Sequence, residues 1–242
     1  MVEIFAGKPM EQSKIISFVG GDKYELERYL AELLCQLGYK VLLIDLSETK
    51  ALSEALYDSE GLGCEITVPC ILEHKGIDFI PRFEDWQLYS EFINPYLYQT
   101  NHEYDYVIVD FGFLIGHSAL SRSNLLFLVS DMQKHNFSRV RLLFSGMELP
   151  KIIIIQDIVP CKIKAKDLLL ENISGVKNQI HFLDYDVNDK STRLLLQYTR
   201  TLNMRKVSKK VKEVLFQALQ ALLPDITKKG FEQAMSATKR GK

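Results

Sequence analysis

The sequence predicts an α/β fold: a mostly parallel central sheet flanked by helices, a three-layer sandwich. Three observations carry the prediction. Short apolar runs recur at strand length, among them Ile15–Val19, Val41–Ile44, Val107–Val109, Leu125–Val129 and Ile152–Ile155. Between them lie helical stretches with an apolar face. Several runs end on a glycine or an aspartate, as parallel strands do when they present a polar group at their carboxyl ends. No linker or internal repeat interrupts the 242 residues. One domain over 1–242 is therefore expected, helical from about residue 189 and with a basic tail at 228–242.

Residues 3–6 suggest a weak opening strand. The strand from Lys14 ends at Gly20-Gly21, and a helix follows with Leu26, Tyr29, Leu30, Leu33, Leu34 and Leu37 on one face. Gly38 suits the left-handed residue after its last turn. Val41–Asp45 is the second strand. Ser53, Ala55 and Leu56 suit a short helix ending near Gly61. Residues 66–72 and 77–80 predict a hairpin with His74 in its turn. Trp86, Leu88, Tyr89, Phe92 and Ile93 are spaced as a core-packing helix that Pro95 stops. Tyr104–Asp110, Leu125–Ser130, Lys151–Gln156 and Gln179–Asp184 continue the sheet, with His181 expected in the core. Residues 132–144 fit a helix poorly. A helix from Asp189 and another with Val211, Val214, Leu215, Ala218, Leu219 and Leu222 in one stripe close the fold before Pro224.

Composition excludes several function classes. Hydrophobic residues are 47% and charged residues 25%, enough apolar side chain for a sizeable core. The net charge of −1 sets up no global field toward nucleic acid. Four cysteines without a CxxC pair argue against a disulfide framework or zinc. No signal-peptide shape and no membrane-spanning run is seen, so a cytoplasmic location is expected.

Lys14–Asp45 and Tyr104-Asp-Tyr-Val-Ile-Val-Asp110 together resemble the MinD/ParA family of P-loop ATPases, the group with a deviant Walker A loop. The family pattern is Lys-Gly-Gly-x-Gly-Lys-Thr-Thr, a helix, then Gly-x-x-Val-Leu-Leu-Ile-Asp-x-Asp. Counting back from Gly38–Asp45 places Lys23 on the P-loop lysine and Gly20 on a glycine. Phe18 falls on the signature lysine, Asp22 on the glycine before the lysine, and Tyr24 on the threonine that holds Mg²⁺. Ser47 falls on the second aspartate, which handles the attacking water. Asp110 matches the Walker B aspartate and Gly112 the switch glycine, while Phe111, Phe113 and Leu114 replace the usual continuation. The resemblance also implies that Gln156 or Asp157 lies where relatives read adenine.

The implied nucleotide contacts are Gly20, Gly21, Asp22, Lys23, Tyr24, Glu25, Asp45, Asp110 and Gly112, with no catalytic residue and no protein-only metal site. Asp22 brings a negative charge where a phosphate would lie, and like charges 4–5 Å apart repel by roughly 3–4 kcal/mol at an effective dielectric near 20. Asp22-Lys-Tyr-Glu25 also reads as a capping box for the helix. Two readings of the loop stand. In one, Asp22 takes the place of phosphate, no cofactor binds, and the chain is a non-hydrolysing localisation or assembly scaffold acting by dimerisation or a protein partner. In the other, Lys23 still contacts ATP with Mg²⁺, and nucleotide gates a dimer. A third reading places function on the basic segment from Arg200 to Lys212 and the tail. Nucleic acid is not expected there for want of aromatic interleaving, and membrane attraction is weak because Phe231 and Met235 are nearly the tail's only large apolar residues.

Overall fold

The computed structural model describes residues 13–21, 23–56, 68–98, 103–143, 148–170, 179–199, 202, 204 and 206–238. The expected strand at 3–6 and the turn at Gly61–Gly63 lie outside them, as does Asp22.

The chain runs β1 (Lys14–Gly20), α1 (Tyr24–Gln36), β2 (Val41–Asp45), α2 (Ala51–Leu56), β3 (Leu72–His74), β4 (Ile77–Ile80) and α3 (Trp86–Tyr98). It continues with β5 (Tyr106–Asp110), β6 (Leu125–Ser130), α4 (Lys134–Arg141), β7 (Lys151–Ile158), α5 (Ala165–Leu170), β8 (Gln179–Asp184), α6 (Val187–Thr199), α7 (Lys209–Leu222) and α8 (Lys228–Ala237). Among the described residues, eight strands form one sheet in the order β3-β4-β2-β5-β1-β6-β7-β8. Every pairing is parallel except β3 with β4, which is antiparallel.

Alternation along the buried strands sends side chains to two cores. Ile16, Phe18, Leu43 and Ile108 pack under α1, α2, α6, α7 and α8. Ile15, Val19, Leu42 and Val109 pack under α3, α4 and the start of α5. The topology reverses at β1, which has β5 on one side and β6 on the other. Such a reversal opens a crevice at the carboxyl ends of the strands. There, Phe18 pairs in register with Asp110, and Asp110 with Asp45.

Several local expectations need correction. The first hairpin strand is Leu72–His74, so His74 lies in a strand and not in the turn. The α3 helix runs through Pro95 to Tyr98. Proline removes one backbone bond near the end of this helix, but buried Leu97 and the hydrogen bond between the Tyr98 and Ser118 hydroxyls (2.6 Å) hold the last turn. Of its expected core stripe, Tyr89 and Ile93 are buried, while Trp86 and Leu88 are exposed. The Arg82 guanidinium covers the Trp86 ring at 4.4 Å. Residues 134–141 do form a helix, burying Phe137 and Val140. His181 is only half-buried, because β8 is the edge strand.

Candidate functional site

Three loops meet where β1, β2 and β5 end. Their backbones are stitched together: Gly20 N–H donates to the Gly112 carbonyl (2.7 Å) and Leu46 N–H to the Asp110 carbonyl (2.7 Å). Gly20 is held at φ +121°. A Cβ there would lie 1.7 Å from the Val129 carbonyl oxygen. The aromatic ring of Phe113, in the loop after β5, lies 3.5 Å from the Cβ position of Gly21. The Arg139 guanidinium sits 4.6 Å from the centre of that ring.

Lys23 is the residue just before α1, and its side chain folds back beneath the loop. Nζ lies 2.5 Å from Asp110 Oδ1 and donates to the Gly20 carbonyl at 2.8 Å. Lys23 is 3% exposed. Burial works against its charge, but Asp110 and Glu27 outweigh that and raise the ammonium's pKa. Asp110 Oδ1 also accepts the Gly112 N–H at 2.7 Å. Asp110 thus closes the turn after β5 and pairs with Lys23 at the same time.

Asp45 is saturated. One oxygen accepts Ser47 N–H (2.9 Å) and the Ser47 hydroxyl (2.6 Å). The other accepts Ser53 N–H (2.8 Å) and its hydroxyl (2.6 Å). Four donors in this geometry fix the turn after β2 and the start of α2.

Tyr24 and Glu25 turn away from this cluster. The Tyr24 hydroxyl donates to the Arg193 carbonyl on α6 at 3.0 Å. Glu25, expected to close a capping box, lies 2.7 Å from Arg193 Nε. The Arg193 guanidinium also reaches Asp157 at 3.2 Å and Gln156 at 3.4 Å. Asp157 is held at φ +53° beside an irregularity in the β7–β8 pairing. Gln156 Nε2 approaches the Gly21 carbonyl at 3.5 Å. The carboxyl-terminal part of β7 thus meets the loop after β1 through Gln156, while α6 clamps the first turn of α1.

Of the nine expected contacts, Gly20, Gly21, Lys23, Asp45, Asp110 and Gly112 converge; Tyr24 and Glu25 face α6. Asp22 is outside the described residues.

The sequence reading missed Glu27 and Arg193. Glu27 is fully buried, 3.9 Å from Lys23 Nζ, and its oxygens have no hydrogen-bond partner among the described residues. The signal was present: Lys23, Glu27, Leu30 and Leu34 share one helical face, so this glutamate sits inside an apolar stripe. Arg193 was hidden by the run Leu194–Leu196, which does not reveal which side of α6 turns inward.

Burial first, then Asp110, raises the Glu27 carboxyl well above its ordinary pKa, with Lys23 pulling the other way. Lys23 and Gly112 already serve Asp110, so the proton goes to Glu27. The folded state then holds a proton that the unfolded chain releases near pH 4.5. That contribution is present below this pH and is lost as pH rises toward the folded value. Glu27→Gln is expected to match the wild-type melting temperature near pH 4 and exceed it by roughly 2–8 °C at pH 8, for about 1–2 kcal/mol. A lower melting temperature for Glu27→Gln at pH 8 would mean that the fold needs the ionised carboxylate.

No family model matches the sequence, and no curated protein matches it. Solved structures do. A plasmid partition protein of Borrelia burgdorferi B31, bound to AMPPNP, is 19% identical over 89% of this chain and 100% of its own, at TM-score 0.61. A chain of the MinC:MinD cell division protein complex of Aquifex aeolicus is similar at 15% identity over 86% and 96%, TM-score 0.58. An ATP complex of McdA from Cyanothece is similar at 11% identity over 88% and 97%, TM-score 0.58. These structures match most of the chain in overall fold, and on that basis this chain has the fold of the ParA/MinD-type P-loop ATPases.

Proposed function

We propose that this chain is a localisation or assembly scaffold that keeps the ParA/MinD-type frame and acts by partner binding or dimerisation without hydrolysing ATP. The observation that carries the reading is the Lys23–Asp110 contact at 2.5 Å. In a P-loop, the lysine faces phosphate and the Walker B carboxylate supports the metal shell. Here each occupies the other. The residues do not fit Mg²⁺ as arranged: the Tyr24 hydroxyl, the one at the metal-binding position, is committed to α6. At the position that would handle the attacking water, the Ser47 hydroxyl donates to Asp45.

The second reading, nucleotide binding that gates a dimer, keeps support from Lys23 and from the AMPPNP and ATP bound to two of the similar structures. It requires Lys23 to leave Asp110. The surface-binding reading of the tail loses support, because Phe231 and Met235 are buried in the core beneath α1. Among the described residues, no helix is long and apolar enough to cross a membrane.

Calorimetric titration with ATP and Mg²⁺, alongside a phosphate-release assay, tests the proposal. The expected result is no heat beyond dilution and no phosphate above the blank. Micromolar binding abolished in Lys23→Ala would overturn it in favour of the second reading.

A further inference from the structure

Helix α6 has an inner face that is anchored and an outer face that is apolar and open. On the inner face, Leu196 is buried in the core that α1 also covers. Arg193 pairs with Glu25, and its carbonyl accepts the Tyr24 hydroxyl. Asp189 accepts the Ser208 N–H at 2.8 Å. Asp186 caps the first turn, accepting the N–H groups of Asn188 (2.8 Å) and Asp189 (3.0 Å). These contacts fix the helix about its long axis, so the outer face cannot roll inward. That face carries Val187, Ser191, Leu194, Leu195 and Tyr198 at i, i+4, i+7, i+8 and i+11, one continuous stripe. Tyr198 is 82% exposed, Val187 69%, and Leu194 and Leu195 49% each. Tyr185, just before the helix, is 49% exposed as well. Together they open on the order of 600 Å² of mostly apolar surface, about the most that one patch on a monomer leaves uncovered. A homodimer of ordinary size buries about 800 Å² per partner, about 65% of it apolar, or roughly 500 Å². The stripe supplies that amount.

Shape and charge name the occupant. When two α6 helices run antiparallel with their stripes in register, Tyr198 of one copy lies over Val187 of the other, and Leu194 over Ser191. Each large side chain then meets a smaller one, and the two-fold axis repeats the fit. A parallel pair would instead stack Tyr198 on Tyr198 and leave Ser191 facing Ser191. Asn188 and Gln197 flank the stripe, and Lys190 beside it is taken by Asp157 at 3.3 Å. Such a face does not repel its own copy, and it offers no free cation to nucleic acid or an anionic membrane. We infer that a second copy of this chain docks antiparallel on the outer stripe of α6, forming a dimer that needs no nucleotide. The inference rests on the scaffold reading proposed above and places its dimerisation on this helix.

Sedimentation equilibrium of the full chain without nucleotide reads the result. The expected outcome is a monomer–dimer equilibrium with a Kd on the order of 10 µM. Leu194→Glu and Ser191→Lys should each weaken it at least about tenfold, because like charges then meet across the axis. Both positions are exposed, so the melting temperature measured on the monomer should not change. An equimolar mixture of the two variants should dimerise at least about tenfold more tightly than either alone, since the introduced lysine faces the introduced glutamate. A misfolded variant could not give that rescue. A chain that stays monomeric up to about 500 µM would overturn the inference. So would a dimer indifferent to both variants, a mixture no tighter than its parts, or a dimer that forms only with ATP and Mg²⁺ and is lost in Lys23→Ala. Heat from ATP in the calorimetric titration, by contrast, would end the scaffold reading and leave a nucleotide-free α6 dimer standing.

Discussion

Gly20→Ala is expected to destabilise the protein by at least about 4 kcal/mol, which for a chain of this size lowers the melting temperature by roughly 8–16 °C or leaves it insoluble. Two independent effects add. The backbone sits at φ +121°, a region essentially closed to side chains with a Cβ. The new methyl would also lie 1.7 Å from the Val129 carbonyl oxygen and 2.8 Å from its carbon, and that backbone belongs to the neighbouring strand β6. Two other glycines separate the effects. Gly76 has φ +78° but open space around its Cβ position, so Gly76→Ala shows conformational strain alone, about 1 kcal/mol. Gly116 has neither a positive φ nor a near neighbour, and Gly116→Ala should be close to neutral. Thermal melts of the three variants test the order; a Gly20→Ala protein as stable as Gly116→Ala would contradict the path of the β1 loop.

Lys23→Met is expected to cost about 3–5 kcal/mol at neutral pH, because it strands the buried Asp110 carboxylate. The same principle predicts that Asp110→Asn added to Lys23→Met recovers most of that loss, since no unpaired charge remains. In an ordinary phosphate-facing loop, the lysine reaches outward and its removal barely touches stability. Chemical denaturation of the two variants and the wild type distinguishes these. A loss under about 1 kcal/mol for Lys23→Met would place the ammonium in solvent rather than on Asp110.

The contrast between what the sequence disclosed and what it concealed follows from how each feature is encoded. The parallel sheet was legible because Val41–Ile44 and Val107–Val109 are apolar without alternation, as strands covered on both faces must be. The α7 stripe from Val211 to Leu222 was legible because one periodicity runs unbroken for three turns. Pro95 misled because a local rule met tertiary packing at Leu97 and Tyr98. The convergence of Lys23, Asp45 and Asp110 was visible through the motif spacing, but its chemistry was not. Motif counting cannot show that Lys23 turns inward to Asp110, that Asp45 is filled by Ser47 and Ser53, or that Tyr24 reaches α6. Each of those is a contact between residues distant in sequence or a choice of rotamer. Glu27 and Arg193 belong to the same class: polar side chains inside apolar stripes, whose partners appear only once α1, β7 and α6 are in place.

Crystals grown with millimolar ATP and Mg²⁺ examine the central claim most directly. The account predicts Lys23 Nζ still on Asp110 and the Tyr24 hydroxyl still on the Arg193 carbonyl, with no triphosphate against the amides of residues 20–25. A triphosphate lying there with Lys23 swung onto its oxygens and a metal beside Asp110 would contradict it.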